Sequence, residues 1–105
     1  MPAFTIVTTT ATQGSDAAEI SALADEFSNE SEALGYSRRM AEELLGMADQ
    51  LELDFDYSNV SLYDGDVVEQ EPDPANAAFL GVWVLDDDGV AYVTSDEYHA
   101  TTPDA

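Results

Sequence analysis

The chain has 105 residues, of which 23 are Asp or Glu and two are Arg; it has no Lys, and its formal net charge is −21. This charge excludes sequence-independent binding to DNA, RNA or anionic membranes, because a nucleic-acid-binding surface must bring cations to the phosphates. Any electrostatic partner should therefore be basic. The absence of cysteine excludes a disulfide framework and thiolate metal sites.

The length and a hydrophobic fraction of 45% predict a single compact domain over residues 1–94. The N-terminus lacks a basic region followed by an apolar run, so we expect no signal peptide. No segment approaches the ~20 apolar residues of a membrane span. We therefore expect a soluble cytoplasmic protein, in the host cell cytoplasm if a phage encodes it. Residues 95–105 lack apolar periodicity and predict a frayed acidic tail.

The first third of the chain predicts one strand and one helix. Residues 3–12 are uncharged and rich in β-branched types, which predicts a strand with Phe4 and Ile6 facing the core. From Asp16 to about Leu34, apolar residues recur at helical spacing and predict an amphipathic helix. This apolar stripe consists of Ile20, Leu23, Ala24, Phe27 and Leu34.

A second helix is predicted at about residues 38–52. Gly35 is a typical residue to end the first helix, and Ser37 is a typical N-cap for the second. Arg38 and Arg39 follow in its first turn. We expect them to pair with nearby acids such as Glu42 and Glu43; the alternative is that they locally neutralise the acidic surface.

Two short segments then predict strands. Residues 53–57 alternate apolar and acidic side chains, as in a strand with one buried face. Asp64-Gly65 is a hairpin signal that would join residues 60–63 to residues 66–69. Residues 70–76 contain two prolines and predict a loop.

The densest apolar segment is Phe79–Leu85, followed by the hairpin signal Asp88-Gly89 and the strand Val90–Thr94. Simple alternation places Phe79, Trp83 and Leu85 on one face and Leu80, Val82 and Val84 on the other. The predicted fold is α+β, in the order β-α-α-β-β-β-β, with two helices on one face of a mainly antiparallel sheet of four to five strands. The uncovered face would need a second copy of the chain in a homodimer, the loop at residues 70–76, or a partner.

The sequence does not predict an enzyme. His99 is the only histidine and lies in the polar tail, and no glycine-rich phosphate loop is present. Asp54–Asn59 imitates half of an EF-hand loop, but Gly65 occupies the position that needs a bidentate Glu. We predict no cofactor and no specific metal site, with loose Ca²⁺ or Mg²⁺ binding at the acidic turns as the alternative.

The acidic surface is the remaining candidate for function. On a rigid domain, carboxylates can stand in for nucleic-acid phosphates and occupy the cationic groove of a DNA-binding protein. The candidate partner-binding residues lie on a helix flank, on a strand face and in turns. They are Glu19, Glu26, Glu30, Glu52, Asp54, Asp56, Asp64, Asp66, Asp86, Asp87 and Asp88.

In length, acidity and element order, the chain resembles small acidic inhibitors of phages and mobile elements. These include uracil-DNA glycosylase inhibitor, anti-restriction proteins and anti-CRISPR proteins. The resemblance includes a late Trp-bearing strand, Trp83-Val-Leu85, that enters the turn Asp86–Gly89. It implies an inhibitor of a nuclease, CRISPR effector, restriction enzyme or repair enzyme. It assigns no role to any particular residue.

Two alternatives predict the same acidity. A halophile's cytosolic protein replaces Lys by Asp and Glu over its whole surface, because molar salt screens their repulsion. The acids cluster by segment here, with none in residues 1–15, which favours mimicry over an even scatter. An acidic antitoxin or cap for a basic partner is the other alternative, and it would require an exposed apolar patch or folding on binding.

Overall fold

The computed structural model describes residues 2–14, 18–55, 57–70, 78–86 and 88–101, with the side chains of 99–101 left out. Five antiparallel strands form one sheet in the spatial order β2-β1-β3-β4-β5. The strands are β1 Ala3–Ala11, β2 Ala18–Glu26, β3 Asn59–Asp64, β4 Phe79–Asp86 and β5 Gly89–Thr94. The α+β class and the antiparallel sheet are therefore confirmed.

Three helices and a 3₁₀ turn complete the described fold. They are α1 Glu30–Gly46, α2 Ala48–Leu51, α3 Ser95–Thr101 and the 3₁₀ turn Val68–Gln70. The predicted order of elements is wrong, because a second strand precedes the first helix. The predicted placement of two helices on one face agrees with α1 and α2, which pack against the same apolar cluster of the sheet. The helix α3 was not predicted, and its Tyr98 packs against Phe79 on the other face.

The predicted first strand is confirmed as β1, which pairs with β2 on one side and β3 on the other. Phe4 and Ile6 are buried in the core beneath α1, as expected from their alternation. The β-branched residues of this segment suit a strand that is paired along both edges.

The predicted helix from Asp16 to Leu34 is wrong in its first half, where residues 18–26 form β2. This segment is rich in Ala, Leu and Glu, which favour helix, so local preference is overridden. All nine residues of β2 pair with β1 and complete its backbone hydrogen bonding on that side. Phe27 is buried as predicted, but it follows β2. Its ring centre lies 6.1 Å from the ring centre of Phe4.

The predicted break at Gly35 and Ser37 is also wrong, because α1 runs through both residues. Its N-cap is Asn29, whose side-chain oxygen accepts the Glu32 N–H at 2.9 Å. Ser37 is fully buried and accepts the indole N–H of Trp83 at 2.8 Å. Contact with the sheet therefore stabilises helix where the sequence favours a boundary.

Two further strand predictions fail. Residues 53–55 and Tyr57 lie in no strand, and Asp56 lies outside the described residues; Leu53 forms a single isolated bridge to Thr12. Asp64-Gly65 does not join a hairpin, because the chain continues into the 3₁₀ turn and β3 pairs with β1 and β4. Gly65 does adopt a positive φ of 76°, so the predicted turn is present, although the strand predicted at residues 66–69 is not.

The hairpin of β4 and β5 is confirmed, with Asp86 opposite Gly89. The predicted faces of β4 are wrong, because the register shifts by one residue between the partners of Leu62 and Tyr63. This bulge moves Leu80 to the α1 side with Trp83 and Leu85, and leaves Phe79 with Val82 on the opposite side. Each face of the sheet therefore has its own apolar cluster.

The C-terminal segment differs from the predicted frayed tail, because residues 95–101 form α3. Residues 102–105 lie outside the described residues, as do residues 71–76 of the loop predicted at 70–76, whose first residue Gln70 ends the 3₁₀ turn. Within the described ranges, no helix combines the length and the apolar character needed to cross a bilayer.

Candidate functional site

Acidic side chains follow the ends of the strands and the outer surface of α1. Every acidic residue that the structure describes is exposed except Asp54, which is half-buried. By contrast β1 carries no acid along its nine residues. The register across the sheet then sorts most of the remaining acids into two groups at opposite ends.

We call the group at the start of β1 the first rim. Ala3 lies opposite Glu26, and Phe4 lies opposite Asp64, which places the end of β2 and the end of β3 side by side. The start of α3 reaches the same end, since Thr94 lies opposite Gly81 near the start of β4. The first rim consists of Asp25, Glu26, Asp64, Asp66, Asp96 and Glu97.

The group at the other end of β1 is the second rim. Here Glu19 lies opposite Thr10, and the Asp54 N–H donates to the Ala11 carbonyl at 2.8 Å. The nine residues of β1 span eight steps of ~3.4 Å, which separates the two rims by roughly 27 Å. The second rim consists of Glu19, Glu52, Asp54, Asp86 and Asp88.

The candidate residues from the sequence are therefore divided. The expected helix flank does not exist, because Glu19 and Glu26 lie at opposite ends of β2 and Glu30 begins α1. The expected strand face also fails, since Glu52 has left-handed backbone angles after α2 and Asp54 follows in a loop. Asp56 and Asp87 lie outside the described residues.

Sequence reasoning missed three residues of the first rim: Asp25, Asp96 and Glu97. Asp25 lies within the predicted first helix, and the other two lie within the predicted tail. The signal Asn29-Glu30-Ser31-Glu32, an N-cap residue with Glu three positions on, would have started the helix at the correct place. It would have freed residues 18–26 for a strand.

Short hydrogen bonds hold the segment that carries Asp64 and Asp66. The Gly65 N–H donates to the Ala3 carbonyl at 2.8 Å. The buried Thr5 hydroxyl donates to the Gly65 carbonyl at 2.7 Å and accepts the Val67 N–H at 3.0 Å. The turn is thereby fixed to β1 on both sides of Asp66.

The start of α3 is held in a similar way. The Thr94 hydroxyl accepts the Glu97 N–H at 3.2 Å and donates to the Glu97 carboxylate at 3.1 Å. This reciprocal pair fixes the first turn of α3 to the end of β5. The carboxylates of the first rim are therefore positioned by backbone that is already ordered.

Both arginines lie on α1 and not on the strand ends. Arg38 pairs with Glu42 at 3.6 Å, as expected, and both side chains are exposed. Arg39 lies 5.8 Å from the ring centre of Tyr36. In the described part of the chain, no three His, Asp or Glu side chains are grouped so as to hold a metal ion. The rims are thus arrays of separate negative charges.

A shallow depression adjoins the first rim, lined by Ala24, Asp66, Val68, Glu69 and Gln70.

Comparison with protein-family models, with curated proteins and with solved structures finds no match to the chain.

Proposed function

We propose that the protein is a non-enzymatic DNA mimic, whose first rim occupies the cationic nucleic-acid groove of a DNA-binding protein. The target class is a nuclease, CRISPR effector, restriction enzyme or repair enzyme. The observation that carries this proposal is the series of six exposed carboxylates along one end of the sheet.

The density of these charges matches that of a nucleic-acid strand. Five strands at a spacing of ~4.8 Å make the end of the sheet about 20 Å wide. One strand of B-DNA carries a phosphate every ~3.4 Å of axis, or about six over the same length. A groove that binds phosphates at this density would meet a comparable number of carboxylates on the first rim.

The fixed backbone of the first rim adds to this support. The hydrogen bonds of Thr5 and Thr94 order the backbone at Asp66 and Glu97 in the free protein. Binding therefore loses little conformational entropy at these residues. A net charge of −21 also accelerates association with a basic protein, most strongly at low salt.

The test compares two triple variants with the same change in net charge. The first-rim variant is Glu26→Gln, Asp64→Asn, Asp66→Asn; the control on the helices is Glu42→Gln, Glu43→Gln, Asp49→Asn. Fluorescence anisotropy measures displacement of labelled duplex DNA from a panel of the four target classes. We expect wild type to displace DNA from at least one protein, with a loss of about tenfold or more in the first-rim variant only.

Equal losses in both variants would show that net charge, and not the first rim, determines binding. Failure of the wild-type protein to displace DNA from any member of the panel would contradict the proposal.

A second candidate, adaptation to molar salt, is favoured by a different observation. The second rim and the acids of α1 place negative charge on several sides of the molecule, which a mimic of a single groove does not need. Circular dichroism at about 0.1 M and 1 M salt separates the two candidates, since the Debye length falls from ~10 Å to ~3 Å. Folding only in molar salt supports adaptation; folding in both supports mimicry.

A further inference from the structure

We propose that the outer edge of β2, which pairs with no strand among the described residues, is a docking site for an extended basic polypeptide segment, which adds to the sheet as a sixth strand. This inference assigns a different mode of contact from phosphate mimicry, namely main-chain pairing along β2, although Asp25 and Glu26 of the first rim lie at one end of the same edge. It rests on the hydrogen-bonding pattern, the exposure and the charge of β2.

The pattern of hydrogen bonds identifies which backbone groups of β2 point outward. The Phe27 N–H donates to the Pro2 carbonyl at 3.0 Å, and this pair continues the register of β1 with β2. In an antiparallel ladder hydrogen-bonded pairs alternate with non-bonded pairs. The odd-numbered residues of β2 therefore bond to β1, and the even-numbered residues direct their N–H and C=O groups to the outer edge.

One of these outward groups already has a partner, and it confirms the assignment. The Glu26 N–H does not donate to β1; it donates to the Asp25 side chain at 2.8 Å. Among the described residues, no other hydrogen bond reaches the outer edge of β2. The groups left for a new strand belong to Ala18, Ile20, Ala22 and Ala24.

Seven of the nine side chains of β2 are exposed, and Ala22 and Ala24 are half-buried. Ile20 is 70% exposed and Leu23 is 44% exposed, on opposite faces of the strand. The opposite edge of the sheet is different, because β5 contacts α1 and α3, whereas β2 contacts β1 and the 3₁₀ turn. A nine-residue edge strand with exposed apolar side chains is a template for pairing with another chain.

Charge decides what kind of segment fits. Acids lie at both ends of β2, with Glu19 at one end and Asp25 and Glu26 at the other, and Ile20 to Ala24 between them are uncharged. Opposite charges directly across two strands stabilise the pair. The complementary segment therefore has Lys or Arg at both ends and uncharged β-branched residues in the middle.

A second copy of the chain fits this edge poorly. Full antiparallel overlap of two β2 strands places Glu19 of one copy opposite Asp25 of the other, and Ala18 opposite Glu26. Like charges directly opposite each other destabilise a strand pair. Each copy also brings a net charge of −21 to the contact. The charge pattern thus selects a basic partner over self-association.

The experiment uses the full chain and the labelled peptide Lys-Lys-Thr-Val-Thr-Thr-Val-Lys, which pairs antiparallel with residues 19–26. Two N-methylated forms of the same peptide provide matched controls. Methylation of the third, fifth and seventh residues blocks the N–H groups that face Ile20, Ala22 and Ala24. Methylation of the second, fourth and sixth residues blocks N–H groups that face away.

We expect the unmodified peptide and the second form to bind, and the first form to lose affinity by about tenfold or more in anisotropy titrations. In NMR hydrogen exchange, the amides of Ile20, Ala22 and Ala24 should exchange fast in the free protein and slow on binding. The protein variant Ala22→Pro should also lose binding while keeping its circular dichroism spectrum, because it removes an outward N–H only.

Equal binding of the two methylated forms would overturn the proposal, as would protection of the outward amides in the free monomer. A dimer in size-exclusion chromatography that Ala22→Pro disrupts would instead assign the edge to a second copy. If the wild-type protein displaces DNA from a target but does not bind the peptide, this inference is contradicted and the proposed function still stands.

Discussion

Trp83, the only tryptophan of the chain, depends on one serine for its buried N–H. The Ser37 hydroxyl accepts this N–H at 2.8 Å and donates to the Leu34 carbonyl at 2.7 Å. A buried polar residue in the middle of a helix is thereby fully hydrogen-bonded, and it joins α1 to β4. Ser37, which the sequence predicts to be a helix cap, instead makes a tertiary contact.

We expect Ser37→Ala to lower the free energy of unfolding by about 1–3 kcal/mol, because the indole N–H would be left buried without an acceptor. Urea denaturation followed by Trp83 fluorescence measures this change. The control Ser31→Ala removes an exposed hydroxyl from the same helix and should change stability by less than about 0.5 kcal/mol. A similar effect of both variants would contradict the role given to Ser37.

Tyr92 is expected to make the stability of the fold depend on alkaline pH. Burial, and secondarily the negative charge of Glu30, raises the pKa of Tyr92 above its ordinary value of 10.0. Above pH 10 the unfolded chain loses the phenolic proton first, which favours the unfolded state. The stabilisation is thus complete below pH 10 and is lost as the pH rises through the pKa of the folded protein.

We therefore expect the free energy of unfolding to fall above pH 10, and Tyr92→Phe to reduce this decrease. Tyr57→Phe is the control, because Tyr57 is 66% exposed. Thermal unfolding at a series of pH values from 8 to 11 measures the effect. Identical pH profiles for wild type and Tyr92→Phe would show that another group controls the alkaline loss.

At the scale of elements, β2 and α1 show how tertiary contacts override local preference. Residues 18–26 favour helix by composition, but the β-branched residues of β1 offer a strand edge that must be paired. Gly35 favours a helix end, but the buried residues on either side of it, Ala33 and Ser37, lie against the sheet. Both mistakes arise from contacts between residues far apart in sequence.

Two glycines in different elements should respond oppositely to alanine. Gly35 is exposed in α1, and an added Cβ would meet no atom within 4 Å, so Gly35→Ala should stabilise by about 0.5–1 kcal/mol. At Gly81 an added Cβ would overlap the Tyr92 ring and lie 2.7 Å from the Val93 carbonyl oxygen. Gly81→Ala should therefore destabilise by roughly 1–3 kcal/mol. Urea denaturation measures both, and effects of the same sign would contradict one of the two placements.

At the scale of the whole molecule, the distribution of charge controls stability. The sheet has an apolar cluster on each face, whereas the acids lie at its two ends and on the exposed surface of α1. With one ion pair, Arg38 to Glu42, in the described part of the chain, most of this charge is balanced by solvent ions. Repulsion between the carboxylates opposes the compact state.

We expect the urea midpoint of unfolding to rise between about 0.1 M and 1 M NaCl, because added salt screens this repulsion. The variant Glu42→Gln, Glu43→Gln, Asp49→Asn should show a smaller rise than wild type, since it carries fewer charges to screen. A midpoint that does not depend on salt would show that repulsion contributes little to stability.

The sequence by itself determined the α+β class, the first strand, and the hairpin of β4 and β5. These features depend on composition, on alternation within one segment, or on a turn residue such as Gly89, all of which are local. Only the tertiary structure decided that residues 18–26 form a strand and that residues 95–101 form α3. It also decided that the alternation of side chains in β4 is interrupted, which places Leu80 on the same side of the sheet as Trp83. The same register assembles Asp25, Asp64 and Asp96 into the first rim. The physical reason is that strand pairing and packing join residues distant in sequence, so they can override local preference where it is weak.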